Sequence, residues 1–255
     1  MDDQEKVELN PPSEQIIAYR ALCLGALVMR GEFEQVVQKS EDSEVVEAHE
    51  DLIERLADWL VDEGVSQYLS PNEKRLFEKS AGSWTEQELI DASWRSEALG
   101  VILWTLSVLD SLPPYDTVFT QPEVINPLKL LGPTTEFLWR ARLRPPEEVA
   151  KACDIADLWV WRSRIAAMQK GGLLLPEGWS FPQVIKTIAE KAHESGAISQ
   201  LAEGDLPILG KPYTELSEDE YMHVTSIATE RQLALDWVIG HAETWDQVTD
   251  GQFET

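Results

Sequence analysis

Along most of this chain, apolar residues recur at spacings of three and four, the signature of an α-helix that buries one face. The first such stretch follows Pro11-Pro12. Ser13 predicts its cap, and Ile16, Ile17, Cys23, Leu24, Leu27 and Val28 form its stripe, to about Arg30. A second runs from about Asp42 to Tyr68. Val45, Val46, Leu52, Ile53, Leu56, Trp59 and Leu60 share one face there, and Glu47, Glu50, Asp51, Glu54 and Asp58 load the other. Ser70-Pro71-Asn72-Glu73 has the residues of a capping box with proline in the first turn. It predicts a short helix to about Lys79. Ser83 to Leu112 is the most apolar stretch, and its apolar positions on every side predict burial on several faces. Pro113-Pro114 ends it.

The second half repeats the pattern with longer interruptions. Residues 113–144 hold Pro122, Pro127 and Pro133 and predict one or two short helices. Pro145-Pro146-Glu147-Glu148 opens a long helix to about Lys170, with Val149, Cys153, Ala156, Val160 and Ala167 as its stripe. Gly171-Gly172 stops it. A helix follows from Phe181 to about Glu194. Residues 195–216, rich in glycine and proline, predict a long loop, and a last helix runs from Ser217 to about His241 with Glu220 placed for a capping box. No stretch makes a convincing strand, and no internal repeat is present. The expected fold is therefore all-α, a single-domain multi-helix bundle of roughly seven to nine helices with long Pro/Gly-rich connections. Residues 1–12 form a flexible tail in this reading, and 13–255 one helical domain.

Charge narrows the choice of partner. The chain carries 21 Lys and Arg against 46 Asp and Glu, a formal net charge of −25. Such a field repels phosphate backbones and anionic lipid, which argues against nucleic acid and membrane and favours a basic protein partner. The stretch from Glu32 to Glu63 holds a large share of the acids and only Lys39 and Arg55 as bases. It reads as a solvated helix face or as a docking surface for such a partner. The longest uncharged apolar run, Ala98 to Leu109, is too short to span a bilayer. The acidic start, Met1-Asp2-Asp3-Gln4-Glu5, is unlike a signal peptide, and Cys23 and Cys153 lie in apolar stretches without metal-ligand spacing. A reduced, cytoplasmic protein is expected.

Candidate chemistry lies in charges on the wrong face. Arg20, Arg95 and Arg231 each fall on an apolar stripe. A guanidinium keeps its proton, so burial demands carboxylates or carbonyls around it, unless the head snorkels to water. Asp91, Glu97, Glu230 and Asp236 are the nearby acids, with Asp154 and Asp157 within reach from the long central helix. A structural ion network and a ligand pocket read alike in sequence. If a pocket forms, Arg95, Glu97, Glu230, Arg231 and Asp246 are its candidate ligand-binding residues.

There is no glycine-rich phosphate loop, no Gly-x-Ser-x-Gly elbow and no His-Glu-x-x-His. No catalytic residue, metal or cofactor is predicted. Glu190-x-x-His193 and Glu220-x-x-His223 have the ligand spacing of di-iron bundles, but a Gly/Pro-rich loop stands where those bundles place a helix. Ten tryptophans are packing material first, with an aromatic-lined groove as the alternative.

Three stretches together resemble a bacterial family, domain of unknown function 4272. They are Ser93-Trp94-Arg95-Ser96-Glu97-Ala98-Leu99 through to Leu112-Pro113-Pro114-Tyr115-Asp116, then Leu143-Arg144-Pro145-Pro146-Glu147-Glu148 with Asp154 and Trp159, and then Thr229-Glu230-Arg231-Gln232-Leu233-Ala234-Leu235-Asp236-Trp237 with Trp245-Asp246-Gln247-Val248-Thr249. The resemblance spans the chain from about residue 70 onward. It implies a helical domain and brings no assigned catalytic residues. The functional expectation is a non-enzymatic binding or interaction module for a basic partner. The alternative is an enzyme or small-ligand binder using the charged Arg/Glu/Asp pocket. Oligomeric state is left open.

Overall fold

A computed structural model describes residues 9–250 of the chain. Residues 1–8 of the expected tail lie outside the described residues. The fold is all-α, with 66% of the chain in helices. In chain order the helices are α1 (Glu14–Lys39), α2 (Ser43–Asp62), α3 (Pro71–Phe77), α4 (Glu86–Thr105), α5 (Gln121–Ile125), α6 (Thr135–Arg140), α7 (Pro146–Lys170), α8 (Phe181–Glu194), α9 (Glu218–Val238) and α10 (Trp245–Asp250). A two-residue hairpin, β1 (Pro207–Ile208) with β2 (Lys211–Pro212), lies before α9 and pairs Ile208 with Lys211.

By its contacts the chain divides into two compact units. One is drawn from residues up to Leu112, from Phe119–Arg144 and from Leu233 onward; the other comprises Pro113–Val118 and Pro145–Gln232. In the first, α1 is the central element. Ile17, Leu22, Cys23, Leu24, Leu27 and Val28 are all buried, and α1 packs on both α4 and α2. α1 continues nine residues past the expected end at Arg30. Gly31 does not break it, because tertiary packing uses the missing side chain: a Cβ there would stand 3.1 Å from the Ala92 Cβ of α4. Gly100 on α4 serves the Phe119 ring in the same way.

Helix α4 ends at Thr105, short of the expected Leu112. The polypeptide at 142–144 takes over its last carbonyls: Arg142 N–H donates to Leu106 O at 3.0 Å and Arg144 N–H to Thr105 O at 2.9 Å. The Arg144 side chain adds bonds to Trp104 O and Leu109 O, each at 2.6 Å. The apolar residues beyond Thr105 therefore lie on irregular backbone instead of helix, Leu106 buried and Val108, Leu109 and Leu112 partly exposed. The expected box on α3 is formed in full, with Glu73 N–H donating to Ser70 Oγ at 3.2 Å and Ser70 N–H to Glu73 Oε2 at 2.8 Å.

In the second unit, α7 and α8 match their expected spans, and the expected loop at 195–216 includes the short hairpin. No strand was expected there. The hairpin's two-residue turn, Leu209-Gly210, has both residues at positive φ, 52° and 73°. The glycine supplies one of these at no steric cost.

Candidate functional site

The first unit contains a buried ion pair beside a small cleft, both built from α1, α3, α4 and α10. Arg20 lies on the buried face of α1 and Glu73 in the first turn of α3, each about 4% exposed. One guanidinium nitrogen of Arg20, Nη2, donates to Glu73 Oε2, which also accepts the Ser70 N–H of the capping box. The carboxylate thus both caps α3 and neutralises the arginine. Burial by itself lowers the Arg20 pKa, but the adjacent Glu73 more than reverses this and holds it above its ordinary value. The Trp245 ring of α10 covers the guanidinium, with its centroid 5.1 Å from Cζ. Next along α10, Asp246 Oδ2 accepts the Asn72 N–H at 3.0 Å, satisfying a first-turn donor of α3 that has no partner within its own helix.

The cleft between these elements has a volume of about 160 Å³. Glu73, Glu88, Asp91 and Asp246 border it, together with Arg95 and Trp245. Glu88 is engaged with Lys79 and caps Thr85 N–H at 2.8 Å, and Asp91 accepts from Gln87 at 2.8 Å. Glu73 Oε1 is buried and has no hydrogen-bond partner among the described residues. A buried carboxylate oxygen with no donor is costly, so a site with this feature is one that a cation or donor-bearing group stabilises.

The sequence-predicted residues divide between several environments. Arg95 and Asp246 line the cleft. Glu97 is fully buried, and its Oε1 accepts the Phe119 N–H at 2.7 Å, which ties the chain after α4 back onto that helix. Glu230 and Arg231 belong to the second unit. There Arg231, buried completely, donates to Pro113 O at 2.7 Å, Pro114 O at 3.2 Å and Thr117 O at 2.7 Å, with its Cζ 4.9 Å from the Tyr115 ring centroid. It therefore staples the segment 113–118 to α9.

Several buried charges lacked a sequence reading. Glu73, the partner of Arg20, was read only as a cap; it stands 53 residues away in sequence. Arg30 is buried beside Glu34 one helical turn on and also donates to Lys79 O at 3.2 Å. Its place three residues after Leu27 was a usable signal. Arg162 pairs through both Nε and Nη2 with Asp205, at 2.7 Å each. Asp205 sits in the irregular stretch before the hairpin, where no periodicity marks a buried acid.

Metal chemistry gains no support from the Glu-x-x-His pairs. Glu220 spends its carboxylate on Lys211 Nζ at 2.7 Å and Ser217 N–H at 2.8 Å, as a helix-start residue does. Among the described residues no group of three or more His, Cys, Asp or Glu is arranged to hold a metal ion. Neither cysteine is part of a disulfide. Burial pushes the Cys23 thiol up to about 12, so it stays a neutral core residue. No helix among the described residues is long and apolar enough to cross a membrane.

Fold and site together define a class: an all-α protein in which a capping carboxylate, buried against an arginine, forms one wall of an acidic cleft. The chain belongs to the family described as Domain of unknown function (DUF4272), whose profile matches residues 1–173. The match includes α1 to α3, upstream of the stretches that carried the resemblance, and stops short of the third stretch at 229–249. No curated protein and no solved structure matches the chain.

Proposed function

We propose that this protein is a cytoplasmic, non-enzymatic binding module whose acidic cleft receives a cationic group, a lysine or arginine side chain of a basic partner. The observation that carries this reading is Glu73, a lining residue of a cleft that three further carboxylates border, whose buried Oε1 has no donor among the described residues. A volume of about 160 Å³ accepts a side chain or a small amine, not a folded element. The exposed acids of α2, among them Glu47, Glu50 and Glu54, provide the longer-range attraction. Free small cations and a partner's side chain share this chemistry, and the experiment distinguishes them.

Calorimetric titration of the full chain with n-butylguanidinium and with a Gly-Arg repeat peptide tests the reading. Both are expected to bind, the peptide more tightly and with steeper salt dependence. Asp91→Asn and Asp246→Asn are each expected to weaken binding about tenfold or more, since a hydrogen bond to a charged group contributes about 1.5–3 kcal/mol. Glu47→Gln, which removes the same charge from α2, should mainly slow association at low salt. Failure of both probes to bind, or equal affinity in all three variants, overturns the proposal. Binding of butylguanidinium alone points to a small-ligand binder, with the same cleft as its site.

A further inference from the structure

A second cavity lies wholly within the second unit and has the opposite character. Its floor is Arg162 of α7, whose side chain is entirely buried. Two of the guanidinium nitrogens are committed to Asp205, and the Tyr213 ring stacks against the group at 4.6 Å. The third nitrogen, Nη1, is buried and has no acceptor among the described residues. A guanidinium presents five donors in a fixed fork and cannot shed its charge, so an idle Nη1 is a standing cost that an acceptor removes.

The cavity measures about 310 Å³, at the lower end of the range for small-molecule sites. Lys170 stands on its wall, its Nζ 4.0 Å from the Tyr221 ring centroid and 2.7 Å from Glu218. Ala166, Leu216 and Tyr221 provide an apolar lining, and none of the described residues that line the space is a carboxylate. In a chain of net charge −25, this lining stands out for two cationic side chains, each paired with a carboxylate outside the lining. Asp205 offsets the charge of Arg162 and Glu218 that of Lys170, so the two groups offer hydrogen-bond donors to the cavity without a net positive charge. The complement is a ligand with one anionic head and a compact apolar body.

We propose that this cavity binds a small organic oxyanion, a carboxylate or phosphate on an aromatic or aliphatic body, with Arg162 Nη1 and Lys170 Nζ as its donors. The body lies against Tyr221 and Leu216. The site is independent of the acidic cleft and shares no residue with it.

The probes are benzoate and phenyl phosphate, titrated calorimetrically into the full chain at constant ionic strength set with sodium chloride. Arg162→Met is unsuitable, because it strands Asp205 and endangers folding. Lys170→Glu changes a half-exposed residue and leaves the buried pair intact. At least one probe is expected to bind the native chain saturably, and Lys170→Glu should weaken it tenfold or more without moving the melting temperature. The tighter probe assigns the head group. Asp246→Asn should leave both affinities unchanged. Absence of saturable binding by either probe, or equal affinity in Lys170→Glu, overturns the inference.

Discussion

Arg20 occupies a position that periodicity marks as core, and its energetics follow from how it is neutralised. Removing one partner of a buried pair leaves the other charged and sealed, at a cost of about 3–5 kcal/mol. Arg20→Met is therefore expected to lower unfolding free energy by that amount, and combining it with Glu73→Leu should recover much of the loss. Chemical denaturation of the three variants measures both. A loss below about 1 kcal/mol, as for exposed pairs, would mean that water reaches Glu73 through the cleft. Glu220 shows the other regime, a partly exposed carboxylate. Its bonds to Lys211 and Ser217 depress its pKa to about 2. Because folding lowers this pKa, the stabilisation is complete above the ordinary carboxylate value of about 4.3 and fades as pH falls toward about 2. Lys211→Met should return the Glu220 titration most of the way to that ordinary value, as followed by side-chain carboxyl NMR.

Among the elements, helices with strong local signals were legible. The capping box of α3, the proline start of α7 and the span of α8 all follow from short-range chemistry that the sequence displays. The ends of α1 and α4 were not legible, because non-local partners decide them. Helix α1 runs on through Gly31, where the missing side chain leaves room for Ala92, and residues 142–144 capture the last carbonyls of α4. Helix α10 gave no adequate periodic signal at six residues and is held instead by Trp245 over Arg20 and Asp246 on Asn72. The close approach at Gly100 is directly testable. A Cβ there would stand 2.3 Å from the Phe119 ring, so Gly100→Ala must displace the ring. We expect it to cost about 1–3 kcal/mol, the range for overpacking a core, despite the better helix propensity of alanine. Thermal or denaturant unfolding that shows stabilisation would contradict this close packing.

For the whole molecule, sequence reached the fold class and the family but only part of the candidate site. Arg95 was legible because it interrupts an apolar stripe, whereas Asp246 stood out only within a stretch that carries the family resemblance. Glu73 was visible only as a cap, since its second role depends on Arg20 of a different helix. Arg162 and Asp205 were illegible for the same reason: a buried pair formed across 43 residues leaves no local pattern. The net charge of −25 describes the average surface and conceals the cavity over Arg162. The central claim is that a cationic group enters the cleft beside Glu73. Proton–nitrogen NMR during titration with n-butylguanidinium tests it most directly, because Asn72 N–H binds Asp246 and Trp245 lines the same space. The account predicts saturable shifts of the Asn72 amide and the Trp245 indole, both lost in Asp246→Asn. Shifts confined to the exposed acids of α2, with Asn72 and Trp245 unmoved, would contradict it.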